Sequence, residues 1–492
     1  MSQLSARRKM RSHPETPRVR TTVPSLLSFN EGDLADLEIT DLAYGGAGIG
    51  RARGFVFLVR RALPGEAVRV RIVSRKPNYA EAEVVERLRP SPLALRPRCL
   101  SFAECGGCQW MNMAYEHQLD VKEGLVVEAL ERVGGLGEFA LHRILRSPEI
   151  YHYRNKLELA FSEGPEGLTL GFHRVGSDKE IVDIPTCLIG TERMDEIARS
   201  ARSLLADKRY GPAPEPEDGR QAPPGTRERD PRLLLKHLVV REGRRTGEVL
   251  VNLVTTPGHM PEERELAQAL MERCPYVVGV VRTIVHNERG SQGKQDRLLA
   301  GRERVRELLC GIRYDIAASA FFQVNTEQAE TLYTRTRELA LPRGRESVLD
   351  LYCGVGGLTL FLATRARRVT GVESSPEAVR CAGANASLNG VTNVRFVQAE
   401  ARRFARRLAA TKKNYDVVTI NPPRSGVHED MIDSIPEIGP RRIVYVSCNP
   451  ATLARDLSGL CSRGYCLTDV QPVDMFPHSF HVETIARLER TN

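Results

Sequence analysis

The sequence predicts an α/β protein in which a small β-barrel and a central α+β unit precede a doubly wound parallel sheet. From about residue 331, buried-type strands alternate with helical stretches, which is typical of a parallel sheet covered by helices. Residues 31–88 contain short strands of period two, separated by Gly, Pro and charged turns. The length of 492 residues corresponds to roughly three domains at ~150 residues each.

These patterns divide the chain into four parts. They are a disordered basic arm (1–30), a barrel (31–90), a central unit (91–325) and the C-terminal sheet domain (326–492). The arm is predicted from its excess of Lys and Arg over acidic residues. Within the central unit, residues 206–231 are rich in Pro, Gly and charge and nearly free of apolar residues, which predicts a disordered insertion.

Composition narrows the class of protein. The chain has no apolar stretch of membrane-spanning length and no secretory h-region near its start, so we expect a cytoplasmic protein. No exposed apolar stripe stands out, so we expect a monomer. The net charge of +9 favours a polyanionic partner such as RNA, and small barrels with basic loops commonly bind nucleic acids.

A cysteine-rich stretch, "CLSFAECGGC", opens the central unit. Three of the 11 cysteines of the chain fall within these ten residues. An odd, sparse cysteine count in an expected cytoplasmic chain argues against a disulfide framework and for a metal or cluster site. By spacing alone, zinc and an iron–sulfur cluster are equally compatible with this stretch.

The first strand of the C-terminal domain leads into a glycine-rich turn, "LDLYCGVGG". Gly354, Gly356 and Gly357 let the backbone approach a ligand, and their spacing is closer to S-adenosylmethionine methyltransferases than to dinucleotide-binding domains. Glu373 ends the next strand, where its carboxylate can accept hydrogen bonds from both ribose hydroxyl groups of the cofactor. Glu400 follows the third strand, near the expected position of the adenine amino group. The fourth strand ends in "INPPR".

Seven motifs in order resemble the RNA uracil-carbon-5 methyltransferase family, and most of all the members that act on 23S ribosomal RNA. The motifs are "CLSFAECGGCQ", "YRNKLEL", "AFFQVN", "LDLYCGVG", "NPPR", "VYVSCNPATLARDL" and "MFPHSFHVE". The resemblance implies a Rossmann-like class I methyltransferase domain, a TRAM-like (OB-like) barrel and a central domain that carries a 4Fe-4S cluster.

The same resemblance implies roles for individual residues. Cys448 would be the nucleophile and Glu483 the general base. The residues that would contact S-adenosylmethionine are Gln323, Tyr352, Glu373 and Asn421, beside Gly354 and Glu400 from the glycine turn and third strand. The cluster ligands would be Cys99, Cys105, Cys108 and the distant Cys187. Many members have Asp where this chain has Asn421, which leaves the substrate branch open.

The chemistry explains why a thiol and a base are needed. Carbon 5 of uracil becomes nucleophilic only after a thiolate adds to carbon 6, and a base must later remove the proton at carbon 5. Cys448 precedes an expected helix start, which would lower its pKa. Phe480 and His481 would partly desolvate Glu483 and raise its pKa.

Other interpretations remain open at this point. The substrate could be transfer RNA, or, because "NPPR" also suits amino-group methyltransferases, an exocyclic nitrogen. A non-catalytic RNA-binding protein is a third reading. The five-residue gap between Cys99 and Cys105 argues against a radical S-adenosylmethionine enzyme. Phe321 and Phe322 could stack on a base or belong to the core, and the basic helix at 401–413 could face phosphates or only solvent.

Overall fold

The structure is a computed structural model. The residues it describes are 29–165, 167–213, 232–286, 293–340, 343–411 and 414–491. Most of the predicted basic arm (1–28) and of the predicted insertion (214–231) lies outside this part of the chain.

The first folded unit is a closed barrel with the strand order β1-β2-β3-β5-β4. Its strands are β1 (Leu34–Leu42), β2 (Gly48–Ala52), β3 (Phe55–Arg60), β4 (Ala67–Arg75) and β5 (Tyr79–Arg89). Along β4, Val68, Val70 and Ile72 are buried while the residues between them face outward. This alternation is that of a sheet with one face on a core, and it confirms the predicted barrel.

The segment after the barrel joins the C-terminal domain. A 3₁₀ turn (Leu100–Ala103) within the cysteine stretch is followed by α1 (Tyr115–Glu128), one π-helical turn (Ala129–Val133) and β6 (Ala140–Leu141). Leu119, Val126 and Leu130 pack in the C-terminal core, and β6 pairs with the last-but-one strand of that sheet. The predicted central unit 91–325 therefore does not hold together as one block, because its first helix belongs to the next domain.

The central unit is built on one mixed sheet. Its elements are β7 (Lys156–Gly164), β8 (Gly167–His173), β9 (Ile181–Asp183), α2 (Glu192–Asp207), β10 (Gly211–Pro212), β11 (Leu233–Glu242), β12 (Val249–Thr255), α3 (Glu263–Arg273), β13 (Val277–Val285) and β14 (Lys294–Gly301). The strand order is β14-β13-β12-β11-β7-β8-β9, with β10 beside β11. Helix α2 extends to Asp207 and β10 covers Gly211–Pro212, so the start of the predicted disordered insertion contains regular structure.

A hairpin and a helix connect this sheet to the C-terminal domain. They are β15 (Arg304–Leu309), β16 (Ile312–Ala317) and α4 (Thr326–Ala340). Ile312 and Tyr314 of the hairpin pack in the same core as the first strand of the C-terminal sheet. The C-terminal domain thus begins before residue 326, where the sequence placed the boundary.

The C-terminal domain has the predicted α/β architecture. Its elements are β17 (Ser347–Leu351), α5 (Gly357–Ala363), β18 (Arg368–Glu373), α6 (Pro376–Leu388), β19 (Val394–Gln398), α7 (Ala401–Ala410), β20 (Val417–Ile420), α8 (Glu429–Ile438), β21 (Arg442–Ser447), α9 (Pro450–Cys461), β22 (Tyr465–Val473) and β23 (Glu483–Arg490). The order is β19-β18-β17-β20-β21-β23-β22-β6. All residues of β17 and β21 are buried, as helices on both faces of the sheet require.

The sheet is parallel except at one side. Strands β17 to β21 pair in parallel, whereas β23 runs antiparallel to both β21 and β22. The carboxyl ends of the parallel strands therefore meet the amino end of β23 at a single edge. No helix in the described part of the chain is long and apolar enough to cross a membrane.

Candidate active site

The carboxyl edge of the C-terminal sheet gathers most of the predicted site residues. Tyr352 follows β17, Glu373 ends β18, Asn421 follows β20 and Cys448 follows β21. In an open parallel sheet, ligands bind outside the carboxyl ends of the strands. The strand order therefore brings together residues that are up to about a hundred positions apart in the sequence.

A cavity opens beside the glycine-rich turn. Four of the predicted cofactor residues, Gln323, Tyr352, Gly354 and Asn421, line it. The other lining residues are Phe321, Phe322, Tyr333, Asp350, Cys353, Val355, Gly357 and Leu358. Gln323 lies in the segment before α4. Residues of both the predicted central unit (91–325) and the predicted C-terminal domain (326–492) therefore line this cavity.

The backbone of the turn is tightly constrained. Tyr352 has a φ of 64°, which is rare for a residue with a side chain, and Gly354 has a φ of 56°. Such conformations persist only where the surrounding structure imposes them, and they cluster at functional sites. A Cβ on Gly356 would lie 3.0 Å from Phe396 Cζ, so the helix that follows approaches the sheet closely.

Glu373 is held against this turn. Its Oε2 accepts the backbone N–H of Gly354 at 3.2 Å, and its Oε1 accepts those of Ser374 and Ser375 at 2.7 and 2.8 Å. The carboxylate is thus fixed beside the turn, with acceptor capacity left on Oε2 for a hydroxyl group.

Glu400 lies apart from the other predicted cofactor residues. Its carboxylate pairs with Arg403 at 3.0 Å, and it lines a separate surface groove with Arg402, Arg403 and Arg406. The charge of Glu400 still reaches Tyr352, since it contributes to the raised pKa of that phenol. A contact of Glu400 with adenine remains a prediction.

The structure also separates the two adjacent phenylalanines. Phe322 is 3% exposed and packs against Tyr314, with ring centroids 5.4 Å apart, so it is a core residue. Phe321 is 72% exposed and lines the cavity. Only Phe321 is free to stack on a ligand.

Asp350 is a site residue that the sequence analysis missed. It lines the cavity from the end of β17 and is fully buried, which raises its pKa to about 6. Its two oxygens accept hydrogen bonds from Thr359 at 2.5 Å and Thr419 at 2.7 Å. An acidic residue in an otherwise apolar strand, two positions before the glycine turn, is the signal that could have identified it.

Strand register places Cys448 opposite Glu483. Strands β21 and β23 pair antiparallel, and their last pair is Ser447 with Thr484. The next position in that register is Cys448 across from Glu483. Opposed residues in an antiparallel pair project their side chains on the same face, so the thiol and the carboxylate face the same space.

The charge of Glu483 acts on the Cys448 thiol. Burial raises the pKa of the Glu483 carboxyl to about 7. Burial also raises the pKa of the Cys448 thiol, and the negative charge of Glu483 raises it further. The expected lowering of the thiol pKa by the helix N-terminus is therefore wrong for the free protein, because desolvation and the nearby carboxylate outweigh it.

Arg424, in the "NPPR" turn, is a second residue that the sequence analysis missed. Its guanidinium hydrogen-bonds to Cys448 and lowers the pKa of that thiol, and its charge also lowers the pKa of Glu483. The Arg424 carbonyl accepts hydrogen bonds from Asn449 and Thr452 at the start of α9. The cation is thereby fixed next to the thiol, and its position right after the strand-end prolines could have suggested it.

The loop 474–482, which precedes Glu483, is anchored by helix α1. Lys122 donates to Asp474 Oδ1 at 2.5 Å and to the Phe476 carbonyl at 3.0 Å, and both members of this ion pair are fully buried. The N–H of His478 donates to Gln118 Oε1 at 2.9 Å. The loop that leads to Glu483 is therefore held by a helix whose Lys122 lies 352 positions before Asp474 in the chain.

The same loop contacts the cysteine stretch. The backbone N–H groups of Gln109 and Trp110, which directly follow Cys108, donate to the His478 carbonyl at 2.9 and 3.0 Å. Tyr153 donates to the Pro477 carbonyl at 3.1 Å. The cysteines, distant in sequence from the catalytic motifs, are thus only a few bonds from the loop that leads to Glu483.

The four predicted ligand cysteines lie near one another. Burial raises the pKa of the Cys108 thiol to about 12, and the charges of Cys187, Cys105 and Cys99 add to this shift. The Gly107 N–H donates to Cys105 Sγ at 3.4 Å. Within the described residues, no three His, Cys, Asp or Glu side chains form a group that could hold a metal ion.

The basic stretch 401–413 forms helix α7 over Ala401–Ala410. Two of its arginines are paired with carboxylates: Arg402 donates to Asp430 at 2.8 Å and Arg403 to Glu400. Lys412 and Lys413 lie outside the described residues. Contact of this helix with phosphates remains a prediction.

Comparisons with known proteins agree with this geometry. The sequence model of the tRNA (uracil-5-)-methyltransferase family matches residues 290–491, and that of the TRAM domain matches residues 29–85. An RNA methyltransferase of Halalkalibacterium halodurans, named as uncharacterized, is 36% identical over 466 residues, which are 94% of this chain and 98% of that protein. One from Thermosynechococcus vestitus, also named as uncharacterized, is 38% identical over 94% of this chain and 99% of its own length.

One solved structure is similar over nearly the whole chain. It is the Pyrococcus abyssi tRNA (uracil-54, C5)-methyltransferase in complex with S-adenosyl-L-homocysteine. The TM-score is 0.70 at 27% sequence identity, and the match covers 92% of this chain and 100% of that one.

Proposed function

The chain belongs to the S-adenosylmethionine-dependent RNA (uracil-5-)-methyltransferase family, and we propose that it methylates carbon 5 of a specific uridine in 23S ribosomal RNA. The observation that carries the catalytic part of this proposal is the placement of Cys448 opposite Glu483 by strand register. A thiol and a carboxylate of raised pKa on one face are the two groups that carbon-5 methylation needs.

The proposed reaction assigns one role to each group. The Cys448 thiolate adds to carbon 6 of the uracil, and carbon 5 then attacks the sulfonium methyl group of S-adenosylmethionine. Glu483 removes the proton from carbon 5, and the electron pair of that bond expels the Cys448 thiolate. Arg424 favours the thiolate form of Cys448 before the addition.

S-Adenosylmethionine supplies the methyl group, and the cavity beside the glycine turn is its proposed site. Gln323, Tyr352, Gly354 and Asn421 line that cavity, and Glu373 is held beside it with a free acceptor position. Glu400 is proposed at the outer, adenine end. Asn421 supplies a side-chain amide to the same cavity.

We also propose a 4Fe-4S cluster on Cys99, Cys105, Cys108 and Cys187. The donor chemistry fits, since four thiols share one partly buried region and a glycine N–H already points at one sulfur. In such a cluster each cysteine would bind a different iron. The four cysteine sulfurs would therefore lie further from one another than four sulfurs that bind a single metal ion. Anaerobic purification should yield about four irons per chain, with visible absorbance, and Cys108→Ser should lose both. Zinc in place of iron would refute the cluster.

The choice of RNA rests on two different observations. A TRAM barrel is found in some branches of this family, and its presence here favours ribosomal RNA. Transfer RNA is the second candidate, because the similar Pyrococcus abyssi enzyme is named for uracil 54 of tRNA. Methylation of 23S ribosomal RNA and of tRNA transcripts, both lacking the modification, distinguishes the two.

Tritium release tests the chemistry. RNA labelled with tritium at carbon 5 of uridine is incubated with the anaerobically purified protein and S-adenosylmethionine. We expect release that requires Cys448, so Cys448→Ala should abolish it, whereas Cys466→Ala, which changes an exposed cysteine of β22, should retain it. Methyl incorporation without release would move the target to an amino group or a ribose and overturn the proposal.

A further inference from the structure

The barrel reaches into the active site through one side chain. Tyr44 lies in the loop 43–47, between β1 and β2, and its hydroxyl donates to the Cys448 carbonyl at 3.2 Å. The two residues are 404 positions apart in the chain. A contact of this kind links the barrel directly to the residue proposed as the nucleophile.

The loop that carries Tyr44 is firmly seated. Within it, the Ala43 N–H donates to the Ala47 carbonyl at 2.8 Å, and the Gly46 carbonyl accepts the indole N–H of Trp110 at 3.2 Å. A Cβ on Gly46 would lie 2.9 Å from Gln109 Cβ and 3.5 Å from the Phe480 ring. The glycine therefore lets the loop of Tyr44 lie directly against Gln109, in van der Waals reach of Phe480 in loop 474–482.

The ring of Tyr44 belongs to an aromatic cluster beside the catalytic pair. It meets Phe480 edge to face with centroids 5.2 Å apart, and Phe480 lies 4.1 Å from His481. Yet 41% of Tyr44 is exposed. Burial of the hydroxyl end raises its pKa to about 12, with contributions from the charges of Cys448 and Glu483. The phenol is thus neutral and lies near both groups, and the residue remains partly exposed.

A partly exposed aromatic residue next to the proposed nucleophile is suited to contact a flipped base. A target base must leave its stack before it can react, and aromatic side chains commonly replace the lost stacking. The rest of the loop consists of glycine and alanine, so Tyr44 is the side chain of this loop that can supply such a contact.

We propose that Tyr44 has two functions: its hydroxyl positions the Cys448 main chain, and its ring forms one wall of the pocket that receives the target uracil. The barrel then takes part in forming the active site, in addition to any contact with RNA further away. This inference rests on the proposed function.

The test uses RNA in which 5-fluorouridine replaces the target uridine. After thiolate addition and methyl transfer, carbon 5 carries fluorine in place of the proton, so elimination stops and the protein–RNA adduct accumulates. The rate of adduct formation and the RNA dissociation constant are measured separately for the full-length wild type, Tyr44→Phe and Tyr44→Ala. Tyr79→Ala, at the start of β5, is the matched barrel control.

We expect Tyr44→Phe to slow adduct formation about tenfold while RNA affinity stays near that of the wild type, because only the bond to Cys448 is lost. Tyr44→Ala should in addition weaken RNA binding by about tenfold or more, as loss of a base–aromatic contact does. Tyr79→Ala should change neither quantity. Tyr44→Phe should thus retain the RNA affinity that Tyr44→Ala loses, but not the rate of adduct formation, and this difference separates the two functions.

Two results would overturn the inference. One is wild-type behaviour of both Tyr44 variants in rate and affinity. The other is an equal loss of RNA binding in Tyr44→Phe and Tyr44→Ala together with a lowered melting temperature, which would show that the residue only docks the barrel. Failure of the wild type itself to form an adduct would refute the proposed function instead.

Discussion

At the residue scale, two opposite charges lie beside one thiol. Glu483 raises the pKa of Cys448 and Arg424 lowers it, while burial raises the pKa of both Cys448 and Glu483. In the free protein the thiol is therefore protonated at neutral pH. Addition to uracil requires that it lose this proton, and the balance between the two neighbouring charges controls how easily it does so.

Replacing Glu483 and replacing Arg424 should change the reactivity of Cys448 in opposite directions. Glu483→Gln removes a charge that opposes the thiolate, so alkylation of Cys448 by iodoacetamide at pH 8 should become about three- to tenfold faster. Arg424→Ala removes a cation that favours the thiolate, so alkylation should slow by a similar factor. Mass spectrometry of the Cys448 peptide measures the rate, and the exposed Cys466 serves as the internal control. A change of the same sign in both variants would contradict the assigned charges.

The raised pKa of Glu483 also predicts a pH dependence. As a base Glu483 must be deprotonated, and with a pKa of about 7 it loses this form as the pH falls through 7. The single-turnover rate of tritium release should therefore fall by at least about tenfold between pH 8 and pH 6. Adduct formation with 5-fluorouridine RNA needs the Cys448 thiolate but not the base, so release should decline more steeply than adduct formation as the pH falls. If release and adduct formation decline in parallel at every pH, Glu483 is not the base.

At the scale of single elements, helix α1 holds loop 474–482 through a buried ion pair. Lys122 and Asp474 are both fully buried, and Tyr115 donates a further hydrogen bond to Asp474 at 2.6 Å. Removing one partner of such a pair leaves an uncompensated buried charge, which costs far more than the pair itself contributes.

Lys122→Met should therefore lower the free energy of unfolding by about 3–5 kcal/mol. Arg132→Ala is the matched control, since Arg132 pairs with Glu128 in the same helical segment but on the surface, and it should cost less than about 1 kcal/mol. Urea denaturation measures both. Equal effects of the two variants would mean that the buried pair does not anchor the loop.

Gly371 of β18 packs against Cys353 in the glycine-rich turn, so a larger residue at position 371 should disturb the turn. A Cβ on Gly371 would lie 2.8 Å from Phe396 Cδ1 and 2.9 Å from Cys353 Sγ, so Gly371→Ala must displace the side chains of Phe396 and Cys353, the second of which belongs to the turn. We expect a loss of about 1–3 kcal/mol of stability and weaker S-adenosylmethionine binding by calorimetry. Gly383→Ala, in α6 with open space around it, should leave binding unchanged and slightly favour the helix. Unaltered binding in Gly371→Ala would show that the turn can adapt.

At the scale of the whole molecule, loop 474–482 is where the parts of the chain meet. The barrel contacts it through Gly46 and Tyr44, the cysteine stretch through Gln109 and Trp110, and α1 through Lys122. The loop that leads to Glu483 is thus contacted by the barrel, by the residues after Cys108 and by helix α1.

This arrangement predicts an effect of the cysteines on the catalytic loop. Cys108→Ser should speed amide hydrogen exchange in residues 474–482, because the N–H groups that hold the His478 carbonyl come directly after Cys108. Cys466→Ser should leave exchange in this loop unchanged. If Cys108→Ser loses iron while amide exchange in loop 474–482 stays unchanged, the proposed cluster does not support the loop.

The sequence by itself determined the barrel, the alternating α/β domain and the identity of the nucleophile candidate. These properties depend on local patterns: period two in β4, buried runs in β17 and β21, and a short motif around Cys448. Such signals need no knowledge of which distant segments come into contact.

Only the tertiary structure decided which segments share a core and what the site groups experience. It moved helix α1 into the C-terminal domain, placed Glu483 opposite Cys448, and brought Tyr44 and Arg424 beside them. It also reversed the expected direction of the Cys448 pKa shift. Register, burial and the positions of neighbouring charges arise from long-range packing, and these together determine the chemistry of the thiol.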